Sequence, residues 1–500
     1  MIITVTCGSI KFPNIMKFKC FENPNNITYD VVITTMPYTE SGLPLMAPAV
    51  LKPIVEKAGF SCLAADANNE IVRYINSHER NGDFMTFIYD EFLAPEIEDD
   101  LYDIFSSLAT QLMSFKPKFV GISLISYVNQ ISAKWLAWFV KKIDPTVTVL
   151  LGGPGCLPTF TGPSEFVDTL MDAGLVDYHI RGDAEHSLYE FLKGRREYSG
   201  INSLEWTEFS LEEMRKFPMP DYSQYDMDLY RIPALPIIGS RGCVRQCKFC
   251  DYIANWPSFT WRTGDDIFEE MVAQYKLYGI RFFKFQDSLT NGNQKEFLQL
   301  ITRLADWNTK NPDESFTWSG YYIFREHNAS TERTWELVKA SGGHKLIVGI
   351  ENLNQRIRYA LGKKFSNEAI DVHLEYGKKH KIHFMLLQIV GWVDETDEEF
   401  EFIKDWLRTH TQYKDNITLQ WGGTLGIFPN TWLERNWEDL GLVRTSEHPQ
   451  GWENPAVGST PAKRAQWAKE LNDLTRELGY TAGDQLNNHF LLEKMINNEI

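Results

Sequence analysis

The stretch Gly239-Ser-Arg-Gly-Cys243-Val-Arg-Gln-Cys247-Lys-Phe-Cys250-Asp-Tyr252 contains three closely spaced cysteines. The apolar run Leu235-Pro-Ile-Ile-Gly239 predicts a short buried strand just before it. The thiols therefore follow the carboxyl end of a strand, where α/β folds place their functional sites. A cubane iron–sulfur cluster is bound by cysteine thiolates, usually four. Three thiolates on one loop can hold three irons and leave the fourth open to a small ligand, so the spacing predicts a [4Fe–4S] cluster on Cys243, Cys247 and Cys250.

The same cysteines have two simpler interpretations. They could be buried structural residues, or they could form part of a zinc site. Zinc in structural sites usually takes four ligands, and no second Cys or His pair follows at a fixed distance. The three-residue gap between the first two cysteines is also unusual for a zinc knuckle. These features favour the cluster.

The segment from Cys243 to Cys250 resembles the signature of the radical S-adenosylmethionine (SAM) enzymes, in which an aromatic residue such as Phe249 precedes the third cysteine. The resemblance implies that the open iron binds the amino and carboxylate groups of SAM. It also implies that an electron passed through the cluster cleaves SAM to a 5′-deoxyadenosyl radical. An electron donor such as flavodoxin or ferredoxin is then an expected partner.

Strand and helix patterns alternate from residue 235 to about residue 430. Ile267, Met271 and Tyr275, for example, recur at helical spacing and predict a core-facing side of a helix. Strands are predicted to end near Gly239, Gln286, Tyr322, Ile350, Val390 and Trp421. Six βα units predict a partial (βα)6 barrel, the radical SAM core, with its active site at the carboxyl ends of the strands.

The resemblance suggests cofactor-binding roles for four residues in this region. Phe249 is expected to pack near the adenine of SAM. Asp287 ends a segment that resembles the second strand, whose acidic end lies near the SAM amino group. Arg325 occupies a third-strand position that is often polar and inward, and Glu351 ends a fourth-strand motif whose acid faces SAM. No catalytic residue is predicted beyond these.

The N-terminal half, residues 29–195, also alternates between strand and helix and predicts a doubly wound parallel sheet. It resembles the Rossmann-like cobalamin-binding domain that precedes many radical SAM enzymes. Three segments carry this resemblance: Val120-Gly-Ile-Ser123, Leu151-Gly-Gly-Pro154 and Asp177-Tyr-His-Ile-Arg-Gly-Asp-Ala-Glu185. The resemblance places Ser123, Gly152 and Gly153 beside the nucleotide tail of cobalamin, where glycines admit close approach.

One departure concerns the cobalt ligand. The Asp-x-His-x-x-Gly segment of classical cobalamin domains is replaced by Asp66-Ala-Asn-Asn-Glu70, which has no histidine. His78 lies nearby, but a lone histidine in a polar loop is more often a surface residue. A histidine ligand to cobalt is therefore not expected, and a domain that keeps the fold without cobalamin remains an alternative.

Three further regions complete the predicted organisation. Residues 1–28 suggest a small N-terminal β extension, and residues 196–234 a linker. Residues 431–500 suggest a C-terminal helical cap, in which Pro461–Leu478 has the pattern of an amphipathic helix.

Composition narrows the class of protein. The chain has 500 residues, a formal net charge of −17 and 7 cysteines without a disulfide framework. The acidity argues against a nucleic-acid partner. No signal peptide and no apolar run of membrane-spanning length is evident, so a cytoplasmic, membrane-free location is expected.

These resemblances predict cobalamin-dependent methylation of an unactivated centre in a small molecule or peptide. Two alternatives stay open: a cobalamin-dependent rearrangement or cyclisation without methyl transfer, and an N-terminal domain that serves as a cofactor-free docking module. An RNA-methylthiolating enzyme is disfavoured, because it would need another three-cysteine site and a basic tail.

Overall fold

The computed structural model describes residues 16–37, 42–77, 99–156, 166–203, 206–326, 331–446 and 448–482. The chain divides into two compact units. The first comprises Met1–Glu208 and Pro218–Pro233, and the second comprises Phe209–Phe217 and Ala234–Ile500. No helix in the described ranges is both long and apolar enough to cross a membrane.

The first unit is built on a five-stranded parallel sheet with the order β2-β1-β3-β4-β5. This order is one of the two common doubly wound arrangements, so the predicted fold of this half is confirmed. The strands are β1 Val31–Thr35, β2 Cys62–Ala65, β3 Phe119–Ser123, β4 Thr148–Gly152 and β5 Tyr178–Ile180.

Helices cover both faces of this sheet, and the strands are apolar on both sides as a result. Along β1, Val31 and Ile33 belong to one apolar cluster, whereas Val32 belongs to the other. The alternation follows from the two-residue period of a strand. The helices are α1 Met46–Lys57, α2 Ala67–Ser77, α3 Asp99–Met113, α4 Gln130–Ile143, α5 Phe166–Asp172 and α6 Ala184–Leu192.

Two parts of the first unit differ from expectation. The segment after Asp66 continues as helix α2, which was not predicted and which buries Ile71 and Val72. Residues 78–98, including His78, lie outside the described residues. Of the predicted N-terminal β extension, residues 16–28 are described, and they contain a 3-10 turn, Lys19–Phe21, rather than a strand.

The predicted linker is divided between the two units. Residues 218–233 pack on the first unit, where Lys52 forms an ion pair with Asp221 at 2.6 Å and the Tyr225 hydroxyl donates to Leu45 O at 2.8 Å. A short helix within the linker, α7 Leu211–Arg215, belongs to the second unit. The segment therefore has fixed partners along most of its length.

The second unit contains a seven-stranded parallel sheet with the order β16-β13-β12-β11-β10-β9-β6. The six predicted barrel strands are confirmed, each ending within three residues of its expected position, and β16 adds a short seventh. These strands are β6 Ala234–Ile237, β9 Phe282–Phe285, β10 Thr317–Tyr322, β11 Gly343–Glu351, β12 His383–Val390, β13 Ile417–Thr424 and β16 Thr481–Ala482.

Helices connect successive strands of this sheet and shield its outer face. Local capping fixes their ends: in α9 the Thr263 side chain accepts from Asp266 N, and Gly279 ends the helix with a left-handed φ of 68°. The helices of this unit after α7 are α8 Tyr252–Asn255, α9 Gly264–Tyr278, α10 Gln294–Lys310, α11 Glu332–Ala340, α12 Gln355–Leu361, α13 Asn367–His380, α14 Asp397–Thr409, α15 Trp432–Arg435 and α16 Pro461–Glu477.

The described C-terminal residues are helical as predicted, with one addition. Helix α16 buries Ala465, Ala468 and Leu471 along one side. Between α15 and α16 lies a small antiparallel pair, β14 Val443–Arg444 and β15 Trp452–Glu453.

Candidate functional site

The cysteine loop starts two residues beyond β6 and is closed by a short antiparallel pair. Here β7 Ser240–Arg241 pairs with β8 Thr260–Trp261, so the three cysteines lie within a closed excursion of the chain. Gly242 makes the tight turn possible: its φ is 73°, and a Cβ there would overlap the Ser258 carbonyl oxygen. The backbone entering the loop is thus fixed by strand pairing.

The middle of the loop is anchored on the end of α12 and on α15. Lys248 N donates to Leu361 O at 3.0 Å, and Lys248 O accepts from Leu433 N at 3.1 Å. Gly362 lies directly against the loop, because a Cβ there would be 3.1 Å from Gln246 O and 3.3 Å from Cys247 Cα. The cysteine loop therefore has backbone contacts on both sides of Cys247.

The thiols lie in surroundings that oppose ionisation of the bare protein. Cys247 is 6% exposed, and Cys243 and Cys250 are half-buried. Burial raises the pKa of Cys247 to about 11 and also raises the pKa of Cys250. Thiolates here need a compensating positive charge, which bound iron supplies.

Within the described ranges, no three His, Cys, Asp or Glu side chains converge closely enough to hold a single metal ion. A cubane binds each cysteine thiolate to a different iron, so it does not require the three sulfurs to converge on one point. Three thiols on one anchored, largely buried loop fit such a cluster.

Asp287, just beyond β9, holds the start of the cysteine loop. Its carboxylate accepts hydrogen bonds from Gly239 N at 2.7 Å and from Ser240 Oγ at 3.0 Å. The side chain is buried, and burial raises its pKa to about 7. Asp287 therefore lies against the cysteine loop, and its contact with SAM stays a prediction.

Glu351 ends β11 and forms a buried ion pair with Lys363, with 3.0 Å between Oε1 and Nζ. The φ of Glu351 is 66°, a left-handed conformation that ends the regular strand geometry at this residue. Gly349 leaves room for the pair, because a Cβ there would be 2.8 Å from Lys363 Nζ. The Glu351–Lys363 pair thus lies at the carboxyl edge of the sheet.

Lys363 is a functional candidate that the sequence did not single out. Burial opposes its charge, but the charges of Glu351 and Cys247 outweigh that effect and raise its pKa above the ordinary lysine value. The Lys363 ammonium therefore lies near both an acid and the cysteine loop. Its sequence signal was its position twelve residues after Glu351, which ends the fourth-strand motif.

Arg325 follows β10 and is held from two sides. Its Nη2 donates to Asn291 O at 2.9 Å and to Gly292 O at 3.1 Å. Its backbone O lies 2.7 Å from Nε2 of His373, another residue that sequence reasoning missed. Burial lowers the pKa of His373 to about 4, so the ring is neutral near pH 7.

Two further residues of the second unit have defined partners: Phe249, which was predicted to lie near SAM, and Glu395. Phe249 packs against an apolar cluster that includes Leu361, Trp392 and Leu433. Glu395 accepts hydrogen bonds from Gly391 N at 3.0 Å and Trp392 N at 2.8 Å, so it organises the turn after β12.

The three residues predicted for the cobalamin tail lie together at the carboxyl edge of the first unit. Ser123 and Gly152 are paired partners on β3 and β4, and Gly153 follows directly. Gly152 has open space, since a Cβ there would meet only Ile180 O at 3.7 Å. Gly153 differs: its φ is 97°, and a Cβ would overlap the Leu124 carbonyl oxygen. Its glycine is therefore required by the turn itself, whatever binds beside it.

Comparison with known protein families identifies the second unit. Residues 237–407 match the model of the radical SAM superfamily. This segment is a radical SAM domain. It includes the cysteine loop, Asp287, Arg325 and Glu351, and the family resemblance of the cysteine motif is confirmed.

Two curated proteins are similar over part of the chain. An uncharacterized methyltransferase of Pyrococcus horikoshii is 28% identical over 316 residues, which are 59% of this chain and 65% of the relative. The anaerobic magnesium-protoporphyrin IX monomethyl ester cyclase of a Synechocystis species is 21% identical over 285 residues, 53% of each chain. The chain thus spans about half to two thirds of the length of these relatives.

Two solved structures share the fold over most of the chain. TsrM, a radical SAM methyltransferase of Kitasatospora setae, is 14% identical, with a TM-score of 0.59, over 92% of this chain and 90% of TsrM. The cobalamin-dependent radical SAM enzyme OxsB is 12% identical, with a TM-score of 0.62, over 91% of this chain and 68% of OxsB. The folds of both units therefore recur in TsrM and OxsB.

Proposed function

We propose that the chain is a radical SAM enzyme that binds a [4Fe–4S] cluster through Cys243, Cys247 and Cys250. The observation that carries the proposal is the anchored three-cysteine loop at the carboxyl edge of the domain that matches the radical SAM model. When bound, such a cluster supplies the electron that cleaves SAM to a 5′-deoxyadenosyl radical. The chain's own residues shield Cys247 from solvent and fix the loop that carries all three thiols.

SAM is proposed to lie over this loop, with Phe249 near the adenine and the buried acids Asp287 and Glu351 near its amino group or ribose. Arg325 suits the SAM carboxylate. Its Nε is buried and lacks a hydrogen-bond partner among the described residues, and the same is true of Nε of Arg245 in the cysteine loop. A carboxylate between these groups would satisfy buried donors that otherwise carry an energetic cost.

The proposed reaction is cobalamin-dependent methylation of a small molecule or peptide. The doubly wound fold of the first unit and the cobalamin-dependent enzymes that share its fold support this reading. Bound cobalamin would supply the methyl group. Ser123 and Gly152 would border its nucleotide tail, because Gly152 has the space that the tail requires.

A second candidate is a radical cyclisation or rearrangement without net methyl transfer. It is favoured by the partial similarity to a cyclase. A third is a cofactor-free first unit that docks a protein partner. An electron donor such as flavodoxin or ferredoxin is proposed for all three.

The test begins with anaerobic reconstitution, which should give about four irons per chain. Protein produced with cobalamin should show cobalt absorbance, and Gly152→Val should remove it while iron is retained. Turnover with SAM carrying a deuterated methyl group separates the reactions by mass spectrometry. Labelled product supports methylation, whereas unlabelled product with 5′-deoxyadenosine supports cyclisation. Protein without cobalt under all conditions would refute both cobalamin-dependent readings.

A further inference from the structure

The two faces of the barrel strands in the second unit differ in exposure. Side chains on the outer face pack against helices. Trp318 contacts both Phe285 of β9 and Phe297 of α10, and Phe384 of β12 contacts Trp335 of α11. Phe285, Leu346 and Phe384 are each at most 1% exposed. Alternate residues point to the opposite, inner face. There Tyr321 is 40% exposed, and Gln286 is also exposed.

The amino-terminal end of this inner face has a polar floor. Lys284, Ser319, Lys345 and His383 are successive register partners on β9, β10, β11 and β12. His383 Nε2 lies 2.8 Å from Oγ1 of Thr418 on β13, which extends the row to a fifth strand. Parallel-barrel interiors are ordinarily filled by branched apolar side chains. Four adjacent strands here contribute polar groups at the same level, and Thr418, the register partner of Met385, adds one from β13 two residues further along.

The floor carries unbalanced positive charge. Among the described residues, no Asp or Glu oxygen forms an ion pair within 4.0 Å of Nζ of Lys284 or Lys345. Burial, and then the charge of Lys345, lower the pKa of Lys284, and the same two causes lower the pKa of His383. The two ammonium groups thus repel each other without a compensating anion, and a bound anion would relieve that repulsion.

We propose that Lys284 and Lys345, with His383 beside them, form a subsite for a carboxylate or phosphate group of the substrate. The assignment rests on the proposed function, because it places the substrate in the barrel interior below the cysteine loop. From Lys345 to Glu351 the strand rises on the order of 20 Å, at about 3.3 Å per residue. A substrate anchored at the floor by its anionic group can therefore extend towards the carboxyl edge, where the radical would be formed. The substrate class is an anionic metabolite.

The first test measures binding of inorganic phosphate and of acetate to reconstituted protein by isothermal titration calorimetry. Saturable binding of at least one anion is expected. Lys284→Met/Lys345→Met should weaken it about tenfold or more, the equivalent of about 1.4 kcal/mol. Lys345→Glu, a change at an exposed side chain, should weaken it as well. A matched control, Lys276→Met/Lys339→Met, removes two exposed lysines from α9 and α11 and should bind like the unchanged protein.

Thermal shifts then distinguish a substrate group from a free ion. Metabolites are compared in pairs that differ only by a phosphate or carboxylate group, and the anionic member should stabilise the unchanged protein more than Lys284→Met/Lys345→Met. Anion binding that is equal in all variants, or absent from the unchanged protein, would overturn the subsite. Binding of inorganic ions without any anionic metabolite would overturn the substrate assignment. Iron content, measured on the same samples, tests the proposed function separately.

Discussion

Asp66 in the first unit and Asp287 in the second occupy equivalent places with different consequences. Each lies just beyond a parallel strand, is buried, and accepts hydrogen bonds from a neighbouring connection. Asp66 binds the Thr35 hydroxyl at 2.6 Å and the Tyr230 hydroxyl at 3.0 Å. Asp287 binds Gly239 N at 2.7 Å, where the cysteine loop begins. Asp66 links the end of β2 to β1 and to Tyr230, whereas Asp287 orients a loop that carries three thiols.

The comparison shows that a buried acid at a strand end does not by itself mark a reactive site. What distinguishes the second unit is the set of groups that surrounds the held loop: three cysteines, the Glu351–Lys363 pair and two arginines with unsatisfied donors. These groups follow three different strands, β6, β10 and β11, and Asp287 follows a fourth, β9. Because parallel strands bring their carboxyl ends to one edge, residues far apart in sequence meet there.

The largest effect should come from the cysteines. Cys243→Ala/Cys247→Ala/Cys250→Ala should eliminate bound iron after anaerobic reconstitution, because no other thiols lie on that loop. Iron and sulfide analysis with absorbance spectroscopy measures the loss. Cys156→Ala removes a buried thiol of the first unit and should leave the iron content unchanged. A triple variant that retains four irons would show that the cluster is bound elsewhere.

The glycine turn of the first unit should give the next largest effect. Gly153→Ala forces a side chain into a left-handed backbone position, where it would overlap the Leu124 carbonyl oxygen. We expect the free energy of unfolding to fall by about 1–3 kcal/mol. Gly152→Ala, in open space, should cost less than about 1 kcal/mol.

Urea denaturation followed by circular dichroism compares the two glycine variants. Equal destabilisation would contradict the assignment of Gly153 to the turn and Gly152 to an open site. Iron binding serves as an independent control, since both glycines belong to the first unit.

Sequence patterns predicted both sheets because their strands are short apolar runs separated by amphipathic helices. They also predicted the cysteine loop, since its ligands are local in sequence. Lys363 and His373 were missed because their roles depend on partners in other elements. Lys363 pairs with Glu351 at the end of β11, and His373 lies against the Arg325 carbonyl, 48 residues away in sequence. Helix α2 was missed because Asn68 and Asn69, poor helix formers, lie in its first turn.

The pH dependence of stability should distinguish Asp287 from an ordinary surface acid. Burial raises its pKa to about 7, so the folded state binds a proton that the unfolded state releases near pH 4. Its stabilising contribution is complete below about pH 4 and is lost as pH rises towards 7. Glu395, whose pKa burial also raises to about 7, acts in the same direction.

Each acid should lower the free energy of unfolding by up to about 1.4 kcal/mol per pH unit in that window. Asp287→Asn should flatten the slope measured by urea denaturation at several pH values. Asp265→Asn removes a more exposed acid on α9 and is the control for the general effect of removing one negative charge. A slope unaffected by Asp287→Asn would mean that this carboxyl is not held neutral in the folded protein.

The smallest expected effect is electrostatic and concerns two adjacent lysines. Lys363 is buried beside the cysteine loop, whereas Lys364 is exposed. A positive charge near a cluster stabilises the added electron, so removing it should lower the reduction potential. Because Lys363→Met alone would leave Glu351 buried and unpaired, the informative variant is Glu351→Gln/Lys363→Met. The double variant removes one positive and one negative charge, so the potential changes by the difference between their two effects. The effect of the Lys363 ammonium should be the larger, because its charge acts more strongly on Cys247 than that of Glu351.

The potential should fall by on the order of 59 mV if that difference changes the equilibrium constant tenfold in a one-electron step. Electron paramagnetic resonance during a redox titration measures the shift. Lys364→Met is the matched control and should move the potential little, because solvent screens its charge. Equal shifts of the potential in Glu351→Gln/Lys363→Met and Lys364→Met would mean that Lys363 affects the cluster no more than an exposed lysine does. A shift confined to Glu351→Gln/Lys363→Met would establish that the buried pair, rather than the general charge of this edge, tunes the cluster.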